Sequence, residues 1–302
     1  MFKQVRFYRL SANSYPAAAV ESALAKARFA ACGATQKLSV GWIPPRGNEH
    51  DSLLENVGGE WILRLQIEKK SVPGSALREA VDKKCRQIEE KEGRKPGRKE
   101  KRELKEQAEL ELLPRAFSRT STTTIWINRA AGLLVVGTAS QSTCDLIVSQ
   151  IIENLHAVLT DLTISPVDTN SSPATAMTSW LMDYEAPENF ALERTLELYA
   201  PDETKATVKY DRHNLDVGAV RDQLTAGMRP KRLAMGWDNK MSFVLGDDLS
   251  IKKIALIDAT DGSAEDSGVD SFDADVSIMT GTLSAVLPDL VKALGGYADQ
   301  QS

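Results

Sequence analysis

KKCRQIEEKEGRKPGRKEKRELK, residues 83–105, reverses the charge of the chain and breaks in its middle. It holds 11 Lys or Arg against 5 Glu, a net of +6, in a protein of formal charge −5, which leaves −11 for the rest. Gly93, Pro96 and Gly97 interrupt it, because neither residue type continues a helix. On the near side Ser75 is placed to cap a helix with a stripe of Leu77, Val81, Cys85 (or Lys84) and Ile88. On the far side a second helix over 99–113 carries Leu104, Ala108 and Leu112. Two such helices joined by a short Gly/Pro turn make an αα-hairpin. The first, about 18 residues long, reaches about 27 Å at 1.5 Å per residue. Lys91, Arg94, Lys95, Arg98, Lys99, Lys101 and Arg102 gather around the turn, so a projecting arm with a cationic end is expected. Local charge of this kind attracts polyanions whatever the net charge. It displaces counterions from phosphates without reading sequence. A solvated pair of mixed-charge helices fits the same composition; charge alone leaves both readings open.

The arm interrupts a region that mixes strands and helices. Val5, Phe7 and Leu10 alternate with Arg6, Tyr8 and Arg9, predicting a strand over 3–10. Alanine-rich 16–30, with Pro16 in the first turn, reads as a helix stopped by Gly33. Residues 61–67 (WILRLQI) read as a strand after the Gly58-Gly59 turn. STTTIWI (121–127) and LLVVGTA (133–139) read as a hairpin, with a helix following at 142–159. SPVDTNSSPATA (165–176) has the composition of a linker. Beyond it, 231–237, 241–246 and 250–257 read as a three-stranded meander. A closing helix is expected at 282–294, kinked or split at Pro288 and stopped by Gly295-Gly296. The fold class is α+β, in three parts. These are a central α/β domain (1–72 plus 114–164), a helical tip (73–113) and a base domain (165–302) with the meander and the last helix.

A chain of 302 residues with 42% hydrophobic and 26% charged content has ample core-forming material and the balance of a globular protein. No run approaches 18 apolar residues, so no transmembrane helix is expected. The first residues, MFKQVRFYRL, lack the apolar core of a signal peptide. Cys32, Cys85 and Cys144 are odd in number and far apart, which argues for a reducing, cytoplasmic setting.

Familiar catalytic signatures are missing: there is no phosphate-cradling G-x-x-x-x-G-K-[ST], no G-x-G-x-x-G and no G-x-S-x-G elbow. His50, His156 and His213 stand without a second ligand at metal spacing. No catalytic residue, metal ligand or cofactor is expected. One acidic run stands out: Asp258, Asp261, Glu265, Asp266, Asp270, Asp273 and Asp275, with no Lys or Arg between. Read as alternate residues of a strand, Asp273 and Asp275 share a face and offer two ligands for Mg²⁺ in a nuclease; read plainly, they end an acidic surface loop. At LLPRAFSR (112–119), Pro114 ends the second helix, and Arg115 and Arg119 bracket Phe117. The arginines are suited to phosphate, and Phe117 to an interface or, more simply, to the core. Lys231 and Arg232 head the meander.

FYRL (7–10), Cys32-Gly33, GWIPP (41–45), LLPRAFSR (112–119), WI…GLLVV (126–136) and FDADVSIMTG (272–281) together resemble the bacterial recombination-associated protein RdgC family. The matches run in order from residue 7 to residue 281, and LLPRAFSR and FDAD…MTG are the specific ones. The resemblance implies a non-enzymatic, nucleoid-associated protein that binds double- and single-stranded DNA with little sequence preference and restrains RecA-type recombinase. It also implies a homodimeric ring of two horseshoe-shaped subunits around duplex DNA, with 73–113 at the tip. On that basis the expected DNA contacts are Lys83, Lys84, Arg86, Lys91, Arg94, Lys95, Arg98, Lys99, Arg115, Arg119, Lys231 and Arg232. Phe117 is the expected dimer contact. The chain departs from the family pattern at Thr120, where an aromatic is usual, and at Gly236, where an acid is. Competing readings are a Mg²⁺-dependent nuclease built on Asp273 and Asp275, and a protein-interaction module whose basic arm docks an acidic partner.

Overall fold

The computed structural model describes residues 1–211, 216–257 and 270–298. In chain order the elements are β1 (Gln4–Ser11), α1 (Ala17–Lys26), β2 (Leu38–Trp42), β3 (Glu55–Val57), β4 (Glu60–Ser71), α2 (Gly74–Glu92) and α3 (Arg98–Leu112). There follow β5 (Phe117–Asn128), β6 (Leu133–Val136), α4 (Gln141–Leu155), β7 (Thr163–Pro166), α5 (Pro173–Asp183), β8 (Phe190–Tyr199) and β9 (Thr207–Tyr210). The last are α6 (Val217–Thr225), β10 (Arg229–Trp237), β11 (Met241–Gly246), β12 (Ile251–Leu256) and α7 (Asp270–Ala293). The architecture is α+β, with antiparallel strand pairing. Two compact units form: Met1–Ala23 with Leu54–Leu63 and Thr124–Ser302, and Leu24–Leu53 with Arg64–Thr123.

In the first unit the strands run in the order β6-β1-β12-β11-β10-β8-β9, with β7 also paired to β1. The meander forms as expected: Trp237 pairs with Met241, and Asp238 and Asn239 turn the chain with φ of 46° and 49°. The hairpin of β5 and β6 pairs Asn128 with Leu133, and the Asn128 side chain accepts the Ala131 N–H at 2.9 Å. One face of α7, made by Val276, Met279, Leu283, Val286, Leu287 and Leu290, is buried with Leu196, Leu233, Met235, Phe243 and Leu245. Each such side chain contributes about 1.5–3 kcal/mol. Although 271–293 is long and apolar enough to cross a membrane, this buried face makes it a core helix.

Three expectations are corrected here. FDADVSIMTG is helical, as the first part of α7, and not a strand. Its apolar residues recur every three or four positions once Phe272 and Val276 are read on through Met279 and Leu283. The helix also continues through Pro288, which is exposed, and is not split there. The run read as a linker contains the start of α5: the Ser172 hydroxyl accepts the Thr175 N–H at 3.2 Å, and Pro173 opens the first turn. Just before it, Asn170 N–H bonds the Gly296 carbonyl at 3.1 Å.

In the second unit β2 pairs with β4 from Leu38↔Lys69 to Trp42↔Leu65. Helix α1 stops at Lys26, well short of Gly33, because the next residues bond β2 instead: Phe29 N–H to the Trp42 carbonyl and Trp42 N–H to that of Ala27, each 3.0 Å. Gly41 permits this crossing, since a Cβ there would meet the Phe29 backbone nitrogen at 2.6 Å. Helices α2 and α3 form the expected hairpin, although Ser75 does not cap the first of them: α2 starts at Gly74 after Pro73, with no side-chain cap. Gly93 ends α2 in the left-handed region (φ 68°), and Pro96 is buried in the turn. The pair is thin: α2 buries no residue fully and α3 only Ala108.

Candidate nucleic-acid interface

The cations of the hairpin are compensated unevenly. On α2, Lys83 and Arg86 lie away from the apolar stripe, flanked at helical spacing by Glu79 and Glu90. Lys84 lies nearer α3 and pairs with Glu111 at 2.8 Å. At the turn, Arg94 is held by Glu92 (2.7 Å) and Glu100 (2.7 Å), and Lys95 lies 3.8 Å from Glu89. The Arg94 guanidinium holds the Glu100 carboxyl below the ordinary range, and Glu100 also accepts the Gly97 N–H that opens α3. Among the described residues Arg78, Lys83, Arg86, Lys91, Arg98, Lys99, Lys101 and Lys105 form no ion pair, and all are exposed.

At the end of α3, Leu113 is buried and one 3-10 turn (Leu113–Arg115) around Pro114 leads into β5. The core reading of Phe117 does not hold. Its side chain is 87% exposed, on a strand whose first six residues are all exposed. Strand alternation puts Phe117 and Arg119 on one face and Ser118, Thr120 and Thr122 on the other. The second face is anchored: the Ser118 hydroxyl bonds Glu68, and Arg64 donates to Thr122 at 3.2 Å. Glu68 also accepts the Cys32 N–H at 2.7 Å, the main cause that lowers its pKa, with the Ser118 hydroxyl next. Strand β6 pairs with β5 only from Ile125 onward, so the outer edge of the exposed half carries no β6 partner.

Ten of the twelve expected DNA contacts thus fall in the second unit. Lys231 and Arg232 lie in the first, where both pair with Glu197 (3.6 and 3.3 Å), itself only 12% exposed. Gly236 backs onto an acid from the neighbouring strand: a Cβ there would lie 3.3 Å from Glu193 Oε1.

The metal reading of the acidic run loses its geometry. Two apart on a helix, Asp273 and Asp275 point about 200° from each other. Asp258, Asp261, Glu265, Asp266 and His213 lie outside the described residues. Among the described residues no group of three His, Cys, Asp or Glu is placed to hold a metal. The cysteines are unpaired, and His156 Nδ1 lies 3.0 Å from the Ile152 carbonyl oxygen of its own helix.

These features define an α+β protein whose densest charge is a cationic helical hairpin ending in an exposed aromatic strand. Residues 1–297 match the family model described as "Putative exonuclease, RdgC". The chain is 39% identical over 300 residues to the recombination-associated protein RdgC of Cupriavidus pinatubonensis and 40% identical over 300 residues to that of Cupriavidus necator, covering 98% of each. It is 36% identical over 302 residues to that of Dechloromonas aromatica, covering 98% of this chain and 97% of the relative. The chain belongs to the RdgC family.

Proposed function

We propose that this protein binds DNA without sequence preference and modulates recombination by limiting the access of RecA-type recombinase, without catalysing a reaction. The observation that carries the reading is the hairpin, whose exposed, unpaired cations lie on both helices and near its turn in a chain that is otherwise acidic. Phosphate neutralisation by such a surface gives affinity for double- and single-stranded DNA alike. Two horseshoe-shaped copies closing on each other through Phe117, with 73–113 as tip and 165–302 as base, would make a ring around duplex DNA. An exposed phenyl group bracketed by Arg115 and Arg119 suits such a contact. The protein would act in the cytoplasm, on the nucleoid.

The test compares a linear duplex with a covalently closed circle of the same sequence, across a salt series without Mg²⁺. The ring predicts steep salt dependence on both and much slower release from the circle. Equal release refutes encirclement, and binding to neither leaves the basic arm as a dock for an acidic protein. The family description favours a second reading, an exonuclease. It predicts Mg²⁺-dependent shortening of linear DNA, and intact ends after incubation of the purified chain with Mg²⁺ would refute it.

A further inference from the structure

The exposed cations of the hairpin differ between the helix faces in their number and in the acids beside them. On α3, Arg98, Lys101, Arg102 and Lys105 recur at i, i+3, i+4 and i+7, so all four line one side of the helix, and all are exposed. No acid interrupts them. Glu109, next along that side, is already neutralised by Lys37 at 2.7 Å. Glu106 reaches Arg102 at 3.4 Å from the flank, but both side chains are well exposed (83% and 66%). An exposed i,i+4 pair of this kind is worth little and yields to a competing phosphate. The outer face of α2 is different, because it presents only two cations, Lys83 and Arg86, with Glu79 a turn before them and Glu90 a turn after.

The position of the stripe also opposes helix stability. Arg98 and Lys101 sit at the start of α3, the positive end of the helix dipole. Cations there cost the helix about 0.3–1 kcal/mol each. Seven residues at 1.5 Å rise make the stripe about 10 Å long.

We infer that this side of α3, and not the outer face of α2, is the surface that tracks the DNA phosphate backbone. The inference rests on the DNA-binding reading and names its face, adding Lys101, Arg102 and Lys105 to the contacts. The experiment measures the slope of log affinity against log salt for one duplex of about 30 base pairs, following the principle that each neutralised phosphate contributes about 0.9. Two variants are compared with the native chain: Arg98→Gln/Lys101→Gln/Arg102→Gln/Lys105→Gln and Lys83→Gln/Arg86→Gln. Gln is a good helix former, and circular dichroism verifies that the hairpin is retained. The α3 variant should flatten the slope by about 3–4 for each copy bound, while the α2 variant leaves it unchanged. A native slope in the α3 variant, or an equal loss per charge in the α2 variant, overturns the assignment while leaving DNA binding intact. No binding by the native chain would overturn the functional reading, and this inference with it.

Discussion

Replacing Phe117 by Ala separates folding from association. A Phe side chain offers roughly 200 Å² of surface, and at 87% exposure folding covers only roughly 25 Å² of it. At about 25 cal/mol per Å² the substitution costs the isolated fold about 0.6 kcal/mol, or about 2 °C in Tm for a chain of this size. If the ring closes through Phe117, the same side chain buries most of the remainder against its partner. Losing it then costs on the order of 3 kcal/mol per copy, roughly a hundredfold in the closing equilibrium for each. Thermal denaturation reads the first effect, and the half-life on a closed DNA circle after a salt challenge reads the second. The expected result is a nearly native Tm with circle release accelerated to the rate seen on linear DNA. A fall of about 10 °C in Tm would show that Phe117 is core, against its exposed place on β5. A native Tm with native retention on circles would refute its role in closure.

The remaining predictions concern the framework. Gly41→Ala drives a Cβ into the Phe29 backbone and should cost about 2–3 kcal/mol in urea unfolding; a loss below about 0.5 kcal/mol would refute the close crossing. Glu193 has its pKa raised by burial, so the folded state holds this proton more tightly than the unfolded chain, and stability falls as pH rises from the ordinary glutamate range through the raised value. Glu193→Gln should therefore be the more stable at neutral pH, with no advantage in acid, and Gly236→Asp should deepen the native loss; urea midpoints across pH check both. Glu68 has the opposite sign: its pKa is lowered by the Cys32 N–H and then by Ser118, so its contribution is present above the ordinary glutamate range and lost as pH falls through the lowered value. Glu68→Gln should be the less stable at neutral pH, and the gap should close in acid; a gap that stays constant would refute the linkage.

Alternation and breakers in the sequence located β1, β4, the β5–β6 hairpin, the meander and the arm, because each of these carries its own local signal. What escaped depends on neighbours. The Ser/Thr/Pro run has loop composition, yet Ser172 and Pro173 are the cap and first residue of α5, residue types that turns and helix starts share. FDADVSIMTG holds Val, Ile and Thr at spacings that suit a strand, and its helical period shows only when it is joined to the aliphatic residues downstream. Strands β2, β3, β7, β8 and β9 and helix α6 went unread, although FALERTLELY of β8 alternates over part of its length. At the candidate interface, the charge run identified the arm but not its face, because acids far apart in sequence, such as Glu111 against Lys84, decide which cations stay free. The exposure of Phe117 was likewise hidden, since an aromatic in a strand pattern is ordinarily core.

The arm leaves the sheet at the end of β4 and returns at the start of β5, and these strands are hydrogen-bonded neighbours. Insertions or deletions of matched turns in α2 and α3 therefore change reach without altering strand register or the buried side chains beneath. Doubling a connection between fixed ends costs only about 0.6 kcal/mol of closure entropy. Length variation among relatives should accordingly concentrate here, where selection can lengthen or shorten the arm while the rest of the chain stays under the constraint of its core.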